Sequence, residues 1–165
     1  MDRTTAQVRQ LVQNLKLVDE QLAYLAVLTR EGIKPLSRWE KPLEEESRGW
    51  LEELNLQVRE VPRTVKTGKV ITETIFGTTP GYLQIYIRCF DGRPVDKSAQ
   101  TQRIEGFLFG FPGCCVDRFI RQGYAENGLV REDQGILFHW ACRDCSVTPI
   151  LVPVYREIHE FVKQC

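Results

Sequence analysis

Two phrases, Gly110-Phe111-Pro112-Gly113-Cys114-Cys115-Val116-Asp117-Arg118-Phe119 and His139-Trp140-Ala141-Cys142-Arg143-Asp144-Cys145, hold four of the six cysteines and one of the two histidines of this 165-residue chain. Soft ligands and thiol nucleophiles are thereby gathered in one segment, and the C-terminal third is expected to form around them. Pro112-Gly113 reads as a turn that opens a helix, carries Val116, Phe119 and Ile120 inward and ends near Gly123. One or both of Cys114 and Cys115 then stand in a first helical turn, where unpaired N–H groups and the helix dipole favour a thiolate. Adjacent residues on a helix point about 100° apart, so the two thiols need not serve the same centre.

In the second phrase, His139-x-x-Cys142-x-x-Cys145 has the spacing of a ligand knuckle, because a two-residue gap lets the chain turn and aim two sulfurs at one point. Cys142 and Cys145, with Cys114 or Cys115 and either His139 or the remaining cysteine, give three sulfurs and an imidazole, or four sulfurs. The first set suits zinc; the second suits zinc or an iron–sulfur cluster. Zinc is the expected cofactor and a cluster its alternative. A second reading takes Cys114 or Cys115 as a catalytic or redox thiol, with His139 as base and Asp117 or Asp144 as orienting carboxylate. Cys89, Cys165 and His159 read as structural or incidental, and no dinucleotide, phosphate-loop or His-Glu-x-x-His motif is present.

The two phrases together resemble a family of small prokaryotic proteins, domain of unknown function 483, best represented in archaea and marked by Phe/Tyr-Gly-Phe/Tyr-Pro-x-Cys-Cys-Val-x-x-Phe. The resemblance covers about the last third of the chain. It implies Cys114, Cys115, His139, Cys142 and Cys145 as the site, and it implies no reaction, since the family's own activity is unassigned.

Upstream, Val8, Leu11, Leu15, Val18, Leu22 and Leu25 recur at spacings of three and four and predict one long helix, opened by a capping box of Thr4 and Gln7 and stopped by Gly32 and Pro35. Such a seam packs on the chain's own core or forms a homodimer, which makes a helical interaction arm the third functional reading. A second helix is expected from Pro42 to about Asn55, with Glu44-Glu45-Glu46 favouring its dipole. Period-two alternation then predicts strands over 56–65, 69–76 and 82–90, joined at Thr67-Gly68 and Thr79-Pro80-Gly81 as an antiparallel meander, with Pro62 on an edge strand. The polar stretch 91–102 reads as a loop or short helix. Val152, Tyr155, Ile158, His159 and Val162 predict a short closing helix after Pro149 and Pro153.

The expected fold is therefore α+β in a single domain over 1–165: helices in 1–55, the meander in 56–90 and the metal-site part in 104–165. With 22 basic and 22 acidic residues the chain has no basic excess for a nucleic-acid partner. The N-terminal residues lack the apolar core of a secretory signal and no run is long enough to span a membrane. A cytoplasmic location is expected, where paired cysteines more often bind metal or do redox chemistry than form disulfides.

Overall fold

Thr5 opens the first helix, α1 (Ala6–Val18), by accepting a hydrogen bond from the Val8 N–H at 3.3 Å. The computed structural model describes residues 5–165, so Thr4 of the expected capping box lies outside the described residues. The apolar seam does not ride one continuous helix. Asp19, in extended backbone at φ −164°, ends α1, and its carboxylate accepts from the Gln21 N–H at 2.8 Å to open α2 (Glu20–Arg30). Lys41 pairs with that carboxylate at 2.6 Å, and its hydrogen bond holds Asp19 below the usual carboxylate range. Val8, Leu11, Leu15, Leu22 and Leu25 are all buried across the break, while Val18 beside it is exposed. Every residue of α2 from Leu22 through Thr29 is buried, as expected of a helix at the centre of a core.

Three antiparallel strands, β1 (Leu36–Trp39), β2 (Gln57–Thr64) and β3 (Val70–Gly77), form one sheet in the order β1-β3-β2. Helix α3 (Glu45–Glu53) lies between β1 and β2 and stops at Asn55, whose φ is +64°. It starts three residues beyond Pro42, with Glu45 and Glu46 in its first turn. The β2–β3 hairpin turns at Gly68, as its Thr67-Gly68 signal predicts, and Pro62 does sit on an edge strand. The expected third strand over 82–90 is instead helix α4 (Pro80–Phe90). Pro80 occupies the first helical turn, where its missing N–H costs nothing, and the buried residues Leu83, Tyr86 and Phe90 follow helical spacing. The third strand is β1, whose burial on both faces removes the alternation by which short strands are recognised.

Polar contacts bind α4 to the sheet. The Tyr86 hydroxyl donates to Glu73 Oε2 at 2.6 Å, while Arg63 and Arg38 place guanidinium nitrogens 3.6 and 3.8 Å from the same carboxylate. The Arg63 guanidinium also lies 4.7 Å from the centre of the Phe90 ring. Burial pushes the Tyr86 phenol well above its ordinary pKa, which keeps it a donor. Beyond α4 the chain returns along β2: the N–H groups of Gly92 and Val95 donate to the carbonyls of Pro62 and Thr64, and the Thr64 N–H donates to Arg93 O.

Contacts group these elements, to Val95 and with Val162–Cys165, into one unit, and Asp96–Phe161 into another. The second unit holds α5 (Ala99–Leu108), α6 (Gly113–Gln122), α7 (Arg131–Ile136) and most of α8 (Thr148–Gln164). Helices α5 and α6 approach so closely that a Cβ at Gly106 would fall 2.5 Å from Val116 Cγ2. As expected, α6 ends at Gly123, where φ is +59° and the N–H returns to Phe119 O. The closing helix is longer than expected, with Pro149 in its first turn and Pro153 inside it, and it buries Val152, Tyr155, Ile158 and Val162. The architecture is α+β, with helices at both ends and a small antiparallel sheet.

Candidate metal centre

The first turn of α6 presents Cys114 and Cys115, because Pro112 starts the helix immediately before them and the N–H groups of Cys115 and Val116 close on Pro112 O. The other two sulfurs come from a tight turn in which the Cys145 N–H donates to Cys142 O at 3.3 Å, three residues before α8 begins. Gln134 of α7 fixes the chain leading into that turn. Its amide donates to His139 O at 2.8 Å and its carbonyl accepts from the Ala141 N–H at 3.2 Å. Trp140 adds a 2.6 Å hydrogen bond from its indole N–H to Ala125 O.

The result is a convergence of four thiols. The Sγ atoms of Cys114, Cys115, Cys142 and Cys145 all lie within 4.8 Å of one another, a spacing able to hold a metal ion. Cys114 Sγ is 3.5 Å from Cys145 Sγ, and Cys115 Sγ is 3.7 Å from Cys142 Sγ. None of the six cysteines is in a disulfide. Cys115 and Cys145 are buried and Cys114 is exposed, while Cys142 lines a cleft of about 140 Å³ flanked by Arg118 and Arg143.

His139 is adjacent to this group and outside it. Its Nε2 lies 3.1 Å from Thr148 Oγ1, and that hydroxyl donates to Cys145 Sγ at 3.2 Å. With the Thr148 hydroxyl donating to sulfur, its oxygen is left to accept from His139 in the Nε2–H tautomer. Phe111 packs against the imidazole at 5.6 Å between ring centres. The sequence motif thus joins His139 to the sulfurs through an intervening hydroxyl. Of the two carboxylates considered as orienting groups, Asp117 is paired with Arg103 at 2.9 Å, and Asp144 is exposed.

Thr148 is the functional residue that pattern reading misses. It is 1% exposed, it opens α8, and it gives Cys145 both its hydroxyl and its N–H at 3.2 Å while its oxygen stands 3.7 Å from Cys115 Sγ. Threonine is not a soft ligand, so no spacing rule marks it. The only sequence signal was its place just before Pro149, at a helix start. Although burial opposes ionisation of Cys145, the two Thr148 donors bring its thiol down to about 7. Burial, together with hydrogen bonds shared with Cys145 and Cys142, pushes Cys114 up to about 11, and burial raises Cys115 further. The Cys142 N–H donates to Cys115 Sγ at 3.3 Å, a third backbone or hydroxyl donor aimed at sulfur.

Among the described residues, no helix is long and apolar enough to cross a membrane. Comparison of the chain with protein-family models, with curated proteins and with solved structures found no match.

Proposed function

We propose that this is a metal-binding protein whose second unit is built on a single zinc ion held by Cys114, Cys115, Cys142 and Cys145. The observation that carries the reading is the sulfur spacing. A tetrahedral ion with metal–sulfur bonds of about 2.3 Å sets its ligand sulfurs roughly 3.8 Å apart, and the contacts of 3.5 and 3.7 Å are close to that edge. A cluster that places each thiolate on a separate iron needs a wider cage. Zinc therefore takes precedence over an iron–sulfur cluster. Four thiolates gathered within 4.8 Å of one another would repel until a positive charge sat among them, which favours a cation at this spot.

A four-sulfur site leaves no open coordination position, so the reading is a structural or regulatory centre, not a hydrolytic one. The relationship to the domain-of-unknown-function 483 family is a proposal on the same footing, resting on the 110–119 phrase and the His139-x-x-Cys142-x-x-Cys145 spacing. Elemental analysis of anaerobically purified protein, with a visible spectrum of the same sample, tests the reading. Near-stoichiometric zinc without colour is expected, retained in His139→Ala and lost in Cys142→Ser. Iron with a sulfide-to-iron absorption would replace zinc by a cluster; absence of any metal after gentle handling would overturn the reading.

A further inference from the structure

Sequence proximity would pair Cys114 with Cys115 and Cys142 with Cys145. All four sulfurs lie within 4.8 Å of one another, and across the two segments Cys114 Sγ stands 3.5 Å from Cys145 Sγ and Cys115 Sγ 3.7 Å from Cys142 Sγ. Each contact joins the first turn of α6 to the 142–145 turn. Access to the four sulfurs is unequal: Cys114 is exposed, Cys142 is half-buried, and Cys115 and Cys145 are buried. A small oxidant can therefore reach one sulfur directly, and a second sulfur already lies in contact with it to close the reaction.

We infer that the centre is a site of reversible oxidation by hydroperoxides, which releases the metal and leaves the crossed disulfides Cys114–Cys145 and Cys115–Cys142. The inference rests on the zinc reading above. In the first step the Cys114 sulfur attacks the outer oxygen of the hydroperoxide, forming an S–O bond and breaking the O–O bond. The departing alkoxide takes a proton and leaves as alcohol, or as water where the oxidant is hydrogen peroxide. In the second step the Cys145 sulfur attacks Cys114, forming the S–S bond and breaking the S–O bond, and the departing hydroxide takes a proton to become water. Two thiolates, one hydroperoxide and two protons thus give one disulfide, one alcohol and one water. The two electrons lost by sulfur reduce the peroxide. With two of its four thiolates consumed the ion is weakly held, and Cys115 and Cys142, freed of it, react with a second hydroperoxide in the same way. Both disulfides join the segments that the ion joined, and a dithiol reductant reverses them by exchange.

The test uses zinc-loaded full-length protein treated with hydrogen peroxide. Zinc release is followed with a chromogenic chelator, and disulfides are mapped by mass spectrometry of unreduced peptides. Zinc loss is expected to rise together with the Cys114–Cys145 peptide pair, to reverse with dithiothreitol and added zinc, and to be unaffected in Cys165→Ala. Cys114→Ala, if it still loads zinc, is expected to release it about tenfold more slowly, because the exposed attacking sulfur is gone. Should that variant fail to load, the map of the unaltered protein decides alone. A Cys142–Cys145 or Cys114–Cys115 pair as the main product overturns the inference, as does zinc retained with all thiols intact under peroxide excess. Failure to obtain zinc-loaded protein at the outset refutes the zinc reading instead; the disulfide map of the metal-free chain then still decides the pairing.

Discussion

In the first unit α2 is buried from Leu22 through Thr29, and Leu36, Leu51, Ile75 and Phe76 are fully enclosed, whereas in the second α7 buries no residue and α6 buries only Cys115. Around the four sulfurs the enclosed groups are Cys115, His139, Ala141, Cys145 and Thr148, while the unit's apolar core comes from Leu108, Phe109, Leu137, Val152, Tyr155 and Ile158. Stability in the first unit is thus spread over many apolar contacts and one well-paired ionic cluster. In the second a smaller apolar core stands beside four converging sulfurs. Helix α6 and the 142–145 turn bury few apolar side chains of their own, so a metal among the four sulfurs would cross-link the part of the unit that the apolar core holds least.

The sharpest way to break this contrast is to add a strong chelator, which on the zinc proposal strips the ion from the four sulfurs. A structural zinc ion contributes on the order of 10 kcal/mol of apparent folding energy, so chelation should leave the amides of α6 and the 137–147 segment exchanging freely with deuterium while those of β2 and β3 stay protected. Equal loss of protection in both units would abolish the distinction. Next in size is Glu73→Ala, which takes the carboxylate from the buried Arg63. Breaking a buried pair from one side costs about 3–5 kcal/mol, to be read as a lower urea midpoint with zinc content unchanged.

Lys34 sharpens the comparison through pH. It is 2% exposed, and burial, followed by the charge of Arg38, lowers its pKa from 10.5 to about 7. Between those values the unfolded chain binds a proton that the folded chain does not, so this group makes stability rise with pH over that window and imposes its full penalty below pH 7. Lys34→Met should therefore raise stability by a few kcal/mol at pH 7, with the gain fading as pH approaches 10; urea unfolding of both proteins across that range would measure it. The smallest effect belongs to Thr148→Val. Losing a hydrogen bond to a metal-bound ligand typically weakens affinity by about tenfold or somewhat more, so chelator competition should show that loss, with recovery in Thr148→Ser and no change in the first unit.

How much of this could be read beforehand varies with how local each signal is. The seam from Val8 to Leu25, the stops at Gly68 and Gly123 and the burial of Val152, Tyr155 and Ile158 follow from spacing or from a left-handed glycine, and the structure agrees. The break at Asp19 was hidden because the apolar register continues across it. Residues 82–90 alternate well enough to read as a strand. Tertiary burial of Leu83, Tyr86 and Phe90 nevertheless selects the helix, and Pro80, taken for a turn residue, is its first-turn proline. At the site, all four cysteines were legible as a cluster because sulfur is rare and its spacing informative. The position of His139 behind Thr148 was not, since a hydrogen-bond relay leaves no periodic trace in the chain.

The return of residues 92–95 along β2 bears on association between chains. Exposed strand edges invite a further strand from a neighbouring molecule, with aggregation as the common outcome. Here the outward Pro62 and Thr64 carbonyls already accept from Gly92 and Val95, and the outward Thr64 N–H is given to Arg93. At Pro62 itself there is no N–H to offer. The opposite edge of the sheet is β1, only 4 residues long. An edge covered by its own chain over 62–64 and an opposite edge cut short leave an incoming strand only the 57–61 stretch of β2 to copy.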